Sequence, residues 1–571
     1  MDQTAPVADS LLLHGDRIAA VGSEQVNRYL EELDTSGGIS AILRLGNLLS
    51  VQRIDIQGRT VLPGFIDAHS HFPASGLAST GLNLSPEHEQ IKTIDELLSR
   101  LSEASRQHPT SRWLLGFNYD NALLEESRHP TREELDRAAP EHAVYLWHRS
   151  GHMGVANSQA LIELGYDPTR IGPQLNLPVG GAAGRDEWGR LNGLLQEKAA
   201  PGLRRLIHEI PIWKLPAVFF AARDDYLSVG VTTVQNGYAD RTIMRILSWA
   251  QRLRLLKQRV VLWPAHNKLT DNSLLRADVQ SSEMGMAGPA QTLAEWIGWP
   301  QTQQQRIAIS AIKLIADGSP QGRTAYMTRP YLPHPAVCNH YRGIPIVPEA
   351  QLHEQILQYH QAGVQLAIHG NGDAAIDSII SGLQAAQEKA PRVDARHMIV
   401  HAQTIRQDQL QALSDLQATV SFFPSHTYYW GDWYRHQIFG EFRARRISPL
   451  KSADENGVRY SLHSDSPVTA MRPMQMLWSA TNRRTLSGYE LGPDEIIDRQ
   501  RALRALTIDA AWQSFLEHDR GSLEAGKLAD LIVLSENPLT AADVRRIDVE
   551  QVWIGGSRVY TKAAIPAREV R

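Results

Sequence analysis

The sequence predicts an α/β protein: a (β/α)8 TIM-like barrel, a small β-sandwich domain built from both termini, and a large insertion after the first barrel strand. Three observations lead there. From residue 61 onward, short β-rich runs alternate with longer helical segments, the rhythm of parallel βα units. Eight such runs can be counted, the number that closes a barrel. The gap between the first run and the second is far too long for one crossover helix.

Taken in order, residues 11–22 read as a hairpin turning at Gly15-Asp16, and Glu24 to Leu33 as a short helix. Ile54 to Leu62 reads as strand, turn and strand. Ala529–Leu534 and Val549–Tyr560 have the same texture at the other end of the chain, so residues 1–60 and 516–571 are assigned to one small domain. The barrel takes residues 61–515. Its first strand runs through Val61-Leu-Pro-Gly-Phe-Ile-Asp-Ala-His-Ser-His-Phe72. The insertion, about 73–225, holds a helix at Ile94–Gln107, strand-like runs at Arg112–Phe117 and Ala143–Trp147, and a Gly-rich loop at Pro178–Gly184. It is expected to pack over the barrel mouth. The later strands are Gly230–Gln235, Arg259–Trp263, Ile307–Ile315, Gly363–His369, His397–His401, Ala418–Phe423 and Val458–Asp465. Pro348–Ala362, Asp373–Lys389 and Arg406–Leu416 read as helices between them.

Composition bounds the chemistry. The 571 residues are 42% hydrophobic and 21% charged, with a formal net charge of −4. That balance argues against nucleic acid or an anionic membrane as partner, since both need concentrated basic charge. A single cysteine, Cys338, excludes an intrachain disulfide and a thiolate metal cluster. Met1-Asp-Gln-Thr-Ala-Pro has neither the basic nor the apolar region of a signal peptide. No apolar run reaches the length of about 20 that spans a bilayer. A cytoplasmic protein with a small-molecule substrate is expected; a homo-oligomer is compatible with all of this. Any metal chemistry rests on the 22 histidines and the carboxylates.

His69 and His71 sit at i and i+2, hence on one face of a strand. They either grip one divalent metal or hydrogen-bond in the core, and the motif alone does not decide. In such barrels, reactive groups come from the C-terminal ends of several strands. Here those ends carry Lys313 on the fourth strand, His369 on the fifth, His401 on the sixth and Asp465 on the eighth. Nitrogen and oxygen donors of this kind suit zinc or a similar ion.

Pro63-Gly-Phe-Ile-Asp-Ala-His-Ser-His71 with the later Lys, His, His and Asp resembles the metal-dependent amidohydrolase superfamily. Further segments point to its YtcJ-like branch, which includes N-substituted formamide deformylase. They are Gly151-His-Met-Gly-Val-Ala-Asn-Ser-Gln-Ala-Leu161, Lys313-Leu-Ile-Ala-Asp-Gly-Ser319, Arg323-Thr-Ala325, Pro330-Tyr331 and His369-Gly-Asn-Gly-Asp-Ala374. His401-Ala402, Ser464-Asp-Ser-Pro-Val468 and Gly526-Lys-Leu-Ala-Asp-Leu531 complete the set. The resemblance covers nearly the whole chain. It implies one or two divalent ions, zinc first among them, held by His69, His71, Lys313, His369, His401 and Asp465. It further implies that Lys313 is carboxylated to an anionic bridge; the bland reading is a lysine paired with Asp317 or buried beside the site. The metal lowers the pKa of bound water to about 7. Asp465 is then the general base and later the acid, with Lys313 and His401 completing the catalytic set. Against the family pattern, an early strand is missing, Asn236 stands for a common aspartate, Phe423 for a glutamine and Val400 for a glutamate.

Five residues are substrate candidates. His152 either reaches the substrate carbonyl or braces its loop. His426 and Trp430 belong to a loop, Ser425–Tyr434, with five aromatics; it either walls an apolar substrate or packs against the insertion. Asp317 and Arg323 either orient Lys313 or form a structural salt bridge. The expected activity is hydrolysis of a non-peptide C–N bond, in an amide, N-formyl or N-acyl amine. Ester or non-hydrolytic chemistry at the same site, and a non-catalytic binding barrel, are the alternatives.

Overall fold

Buried strands in the middle of the chain sort into two parallel arcs. The computed structural model describes residues 7–35, 52–89, 91–108, 112–171, 177–178, 181–201, 212–269, 306–333 and 338–562. One arc holds Phe65–Ile66, Val231–Ala239, Arg259–Pro264 and Ile307–Ile309 side by side. The other holds Ala311–Ile315, Gln365–Gly370, Met398–His401, Thr419–Phe422 and Tyr460–Leu462. Every pairing within the arcs is parallel. Most positions along them are buried, which explains apolar runs without clean alternation. Helices Glu349–Gln361, Asp373–Lys389 and Gln407–Asp415 cover the second arc with Leu352 and Ile356, Ile376 and Ile379, and Leu410 and Leu413, the three-to-four spacing of a helix face.

The predicted fourth strand is divided at Ser310, its halves belonging to different arcs. The Ser310 amide still reaches the Leu262 carbonyl at 3.3 Å, and Ala265 bridges Lys313 in parallel. At the opposite edges the Asp465 amide donates to the His69 carbonyl (3.1 Å) and the His71 amide to the Ser466 carbonyl (2.8 Å). The result is a TIM-barrel-like α/β framework.

Both ends of the chain meet in one antiparallel sheet, ordered Ser557–Thr561, Val549–Ile554, Leu531–Leu534 and Thr60–Pro63. The hairpin Leu11–His14 and Arg17–Val21 attaches through an Arg17–Leu528 bridge. Residues 54–56 form no strand, unlike the expectation: the Asp55 carboxylate accepts from the Gln57 amide at 2.8 Å, and Gln57 is left-handed at φ 54. Such a side-chain turn diverts the backbone from a ladder. Gly64 is the switch between the terminal sheet and the first arc. A Cβ there would lie 2.1 Å from Thr232 Oγ1, so glycine leaves the room that the Thr232 side chain occupies.

Residues 82–197 form a separate six-stranded sheet ordered Leu82–Asn83, Trp113–Tyr119, Ala143–His148, Met153–Ala156, Leu191–Glu197 and Gly181–Arg185. Its helices Ile94–Gln107 and Arg132–Ala138 start at capping boxes, Thr93 with Glu96 and Thr131 with Glu134, which satisfy otherwise orphaned amides. The predicted Gly-rich loop at 178–184 becomes a strand from Gly181, paired with Leu191–Glu197; residues 179–180 lie outside the described residues. Arg149 Nε donates to the Val468 carbonyl (2.7 Å) and Trp430 Nε1 to Asp120 Oδ2 (2.7 Å), so this sheet sits at the C-terminal ends of the parallel strands.

Arg259 on the third strand and Asp530 in the terminal sheet form a buried two-pronged pair at 2.6 and 3.0 Å. Taking the carboxylate from beside a buried guanidinium costs about 3–5 kcal/mol. Asp530→Ala is therefore expected to lower the urea midpoint of unfolding by that equivalent, whereas Asp548→Ala, at an exposed pair with Lys562, stays within about 1 kcal/mol.

Candidate metal centre

The ends of the first and last strands deliver three donors to one point. His69 Nε2 lies 3.3 Å and His71 Nε2 3.1 Å from Asp465 Oδ1, and the three donor atoms lie within 4.8 Å of one another. Donors about 2.1 Å from a tetrahedral ion stand about 3.3 to 3.4 Å apart. Asp465 Oδ1 is buried and receives no hydrogen bond, a costly state for a carboxylate oxygen that a cation would relieve. The donor set therefore fits a divalent metal. Beside it, His401 Nε2 faces His369 Nδ1 at 3.1 Å and Asp465 Oδ2 at 3.9 Å. Lys313 Nζ reaches His69 Nε2 at 3.4 Å. All six residues expected to ligate metal thus converge.

Packing holds the first ligand. The His69 ring stacks on Trp263, with centroids 5.3 Å apart and planes 13° apart. Trp263 is fixed by its Nε1 donating to Ser310 Oγ at 2.9 Å, at the break in the fourth strand. On the other side, a Cβ on Gly237 would fall 2.2 Å from His69 Nδ1. Burial holds the imidazoles of His69, His369 and His401 well below their usual range. Neutral rings keep the lone pairs that a metal takes. Burial also pushes the Lys313 ammonium down to about 7.

The substrate candidates separate in space. His152 Nδ1 pairs with Glu197 Oε2 at 3.0 Å, and its ring centre is 5.5 Å from that of His369. Burial acts to lower the His152 pKa, but the Glu197 carboxylate and its hydrogen bond outweigh it and raise the value. His426 packs on Phe423 at 4.0 Å between ring centres, and burial drives it down to about 3. Trp430 is fully buried and engaged with Asp120. The predicted aromatic loop is in fact a helix, Ser425–Trp433, running into a π-turn at Tyr434–Ile438. Asp317 accepts backbone amides of Tyr326 (2.9 Å), Asn371 (3.0 Å) and Gly372 (2.8 Å), and burial raises its carboxyl to about 7. Arg323 donates to the carbonyls of Leu332 (3.2 Å) and Gln437 (2.6 Å). Asp317 and Arg323 thus brace loops, while His152 borders the donors.

Three neighbours of the site escaped the sequence reading. His463 donates to or accepts from His401 at 3.0 Å; its i−2 relation to Asp465, the same spacing as His69 and His71, was the available signal. Trp263 is the last residue but one of the third strand. Glu197, left-handed at φ 51, carries no sequence signal, because its role depends on the insertion folding back.

A TIM-barrel-like frame with histidine and carboxylate donors at its strand ends defines the class of metal-dependent hydrolases. More narrowly, the chain belongs to the amidohydrolase family, whose model matches residues 52–560. It is an enzyme acting on carbon–nitrogen bonds other than peptide bonds. N-substituted formamide deformylase of Arthrobacter pascens is 28% identical over 584 residues, spanning 98% of this chain and 96% of that protein. Putative amidohydrolase YtcJ of Bacillus subtilis (strain 168) is 23% identical over 562 residues, 97% of this chain and 98% of that one. An uncharacterized metal-dependent hydrolase from Pyrococcus horikoshii OT3 shares the fold, with a TM-score of 0.66 at 24% identity over 93% of this chain and 94% of that chain. Among the described residues, no helix is long and apolar enough to cross a membrane.

Gly237→Ala tests the packing of the first ligand. The new methyl group must displace the His69 ring, so the purified variant is expected to carry well under half the metal of the parent by atomic emission, with an unchanged far-UV circular dichroism spectrum. Parental metal content would show that the ring position is not critical.

Proposed function

We propose that the protein hydrolyses a non-peptide amide, N-formyl or N-acyl amine, with Asp465 as general base and then general acid. The observation that carries this reading is the place of Asp465. Its Oδ1 meets His69 and His71 and its Oδ2 faces His401, so one carboxylate touches both halves of the donor cluster. Zinc or a similar divalent ion, held by His69, His71 and Asp465 with His369 and His401 beside them, would supply an acidified water and a polarised carbonyl. Asp465 accepts the proton of the attacking water. As the C–N bond breaks, it returns that proton to the amine nitrogen, leaving a carboxylic acid and a free amine. In this reading His152, whose Nδ1 is paired with Glu197 beside His369, donates to the carbonyl oxygen from Nε2. The formamide deformylase among the relatives supports an N-formyl substrate.

Lys313 is read as carboxylated, bridging the two halves of the site. Its deep burial and a pKa near 7 leave a neutral amine fraction able to add to carbon dioxide, forming a carbamate and releasing a proton. The two arcs are read as one eight-stranded barrel spanning 61–515, with an insertion at about 73–225 and a β-sandwich from 1–60 and 516–571. A cytoplasmic location accompanies this reading.

Metal analysis coupled to a panel of N-formyl, N-acyl and cyclic amides tests the activity. Bound metal and amide turnover are expected; absent metal with no hydrolysis across the panel would favour a binding barrel, and turnover of esters alone would redirect the assignment. Asp465→Asn is expected to lower kcat by about 10²–10⁴-fold in a folded protein, and full turnover would sink the assigned role. Native mass spectrometry of metal-loaded protein should show the added mass of one carbon dioxide, absent in Lys313→Ala.

A further inference from the structure

The loop that carries His152 is tied to a buried carboxylate that the proposed reaction does not use. Asp120 directly follows the strand Trp113–Tyr119, and His148 ends the parallel strand Ala143–His148 beside it. Both side chains are buried. Asp120 Oδ1 accepts from the Ala122 amide at 2.9 Å and lies 3.2 Å from His148 Nε2. Its Oδ2 accepts from Trp430 Nε1 at 2.7 Å and stands 3.9 Å from Arg149 Nη1. Burial acts to push this carboxyl up, but His148 and Arg149 outweigh it and hold it below its usual range.

From His148 the contacts run on to the backbone of His152. The Ser150 amide donates to His148 Nδ1 at 3.1 Å, and Ser150 Oγ lies 2.8 Å from the same nitrogen. A backbone amide can only donate, so Nδ1 is the acceptor and Nε2 carries the hydrogen that faces Asp120. Ser150 Oγ accepts in turn from the His152 amide at 3.3 Å. On its other side His152 is held by the Glu197 amide, which donates to its carbonyl at 2.7 Å. The opposite end of the line is the barrel, because Trp430 belongs to the helix Ser425–Trp433 that follows the strand Thr419–Phe422. One carboxylate therefore joins the insertion loop to the barrel wall.

We propose that Asp120 is a positioning residue for His152: it fixes the 148–152 loop through His148 and Ser150, and fastens that loop to the barrel through Trp430. This rests on the reading of His152 as the donor to the substrate carbonyl. Where the His152 ring stands against His369 is then set by a group outside the reacting centre. Both oxygens of Asp120 accept, so an amide of the same shape does not replace it. Wherever the nitrogen of an asparagine is placed, its hydrogens meet another donor. Misplacing a catalytic group by about 1 Å costs about 10²-fold in rate.

Two measurements on the full-length, metal-loaded protein test this. Hydrogen–deuterium exchange on peptides covering 148–156 reports the loop without any substrate, and steady-state kinetics on N-phenylformamide report its use. Asp120→Asn is expected to speed exchange in the loop by about 10-fold, with the helix Ile94–Gln107 exchanging as in the parent. It should lower kcat by about 10²-fold and leave KM little changed. In a His152→Ala background the same change is expected to cost no further activity, since the ring that it positions is gone. Losses that multiply would overturn the proposal, and so would parental exchange of the loop in Asp120→Asn. If that variant fails to fold, Ser150→Ala, which cuts only the link to the His152 amide, decides by the same two readouts. Full turnover in His152→Ala overturns this proposal together with the reading of His152; a crippled His152→Ala beside a fully active Asp120→Asn overturns this proposal alone.

Discussion

The structure depends on one convergence: a carboxylate on the last strand meeting two imidazoles on the first. Neither group is stable where it lies without the other. Asp465 Oδ1 is buried without a hydrogen-bond donor, and His69 is buried under Trp263. The backbone enforces the meeting through the Asp465 amide on the His69 carbonyl and the His71 amide on the Ser466 carbonyl. Joining the edges of the parallel arcs and assembling the donor cluster are thus one event. Buried polar groups are retained when something compensates them, and here the compensating partner is a cation matched to nitrogen and oxygen donors.

Several departures from regular structure serve that point. The break at Ser310 ends one arc and begins another, and it also gives Trp263 the hydroxyl that fixes its ring against His69. The switch at Gly64 hands the chain from the terminal sheet to the first arc five residues before the first ligand. The insertion approaches from above through Trp430 with Asp120 and Arg149 with Val468. It leaves His152 beside His369 while shielding the aromatic helix from solvent. Access and ligand placement are therefore handled by different parts of the chain, and they can vary independently.

Much of this was legible in the sequence because strand ends are local. His69, His71, Lys313, His369, His401 and Asp465 each follow a buried run, and a run with a donor at its end is visible without knowing what it packs against. Pro348–Ala362 and Asp373–Lys389 were legible for a similar reason, through three-to-four periodicity. What stayed hidden depends on distant partners. Asp317 looks like a pocket acid, yet three backbone amides supplied by two other segments claim its oxygens. Trp430 and His426 look like a substrate wall, yet a helix turns them into the protein. Ser425–Trp433 was hard to foresee because aromatic residues pay in side-chain freedom within a helix, so only tertiary packing fixes that state.

The same distinction explains why a ligand's identity does not suffice to describe its chemistry. A histidine at a strand end can present a lone pair or a proton, and its own sequence neighbourhood does not choose between them. For His401 the ring nitrogen turned away from Asp465 lies 3.0 Å from His463, which is itself buried and linked through Ser421 and Ser461 to Gln513, on a helix from far along the sequence.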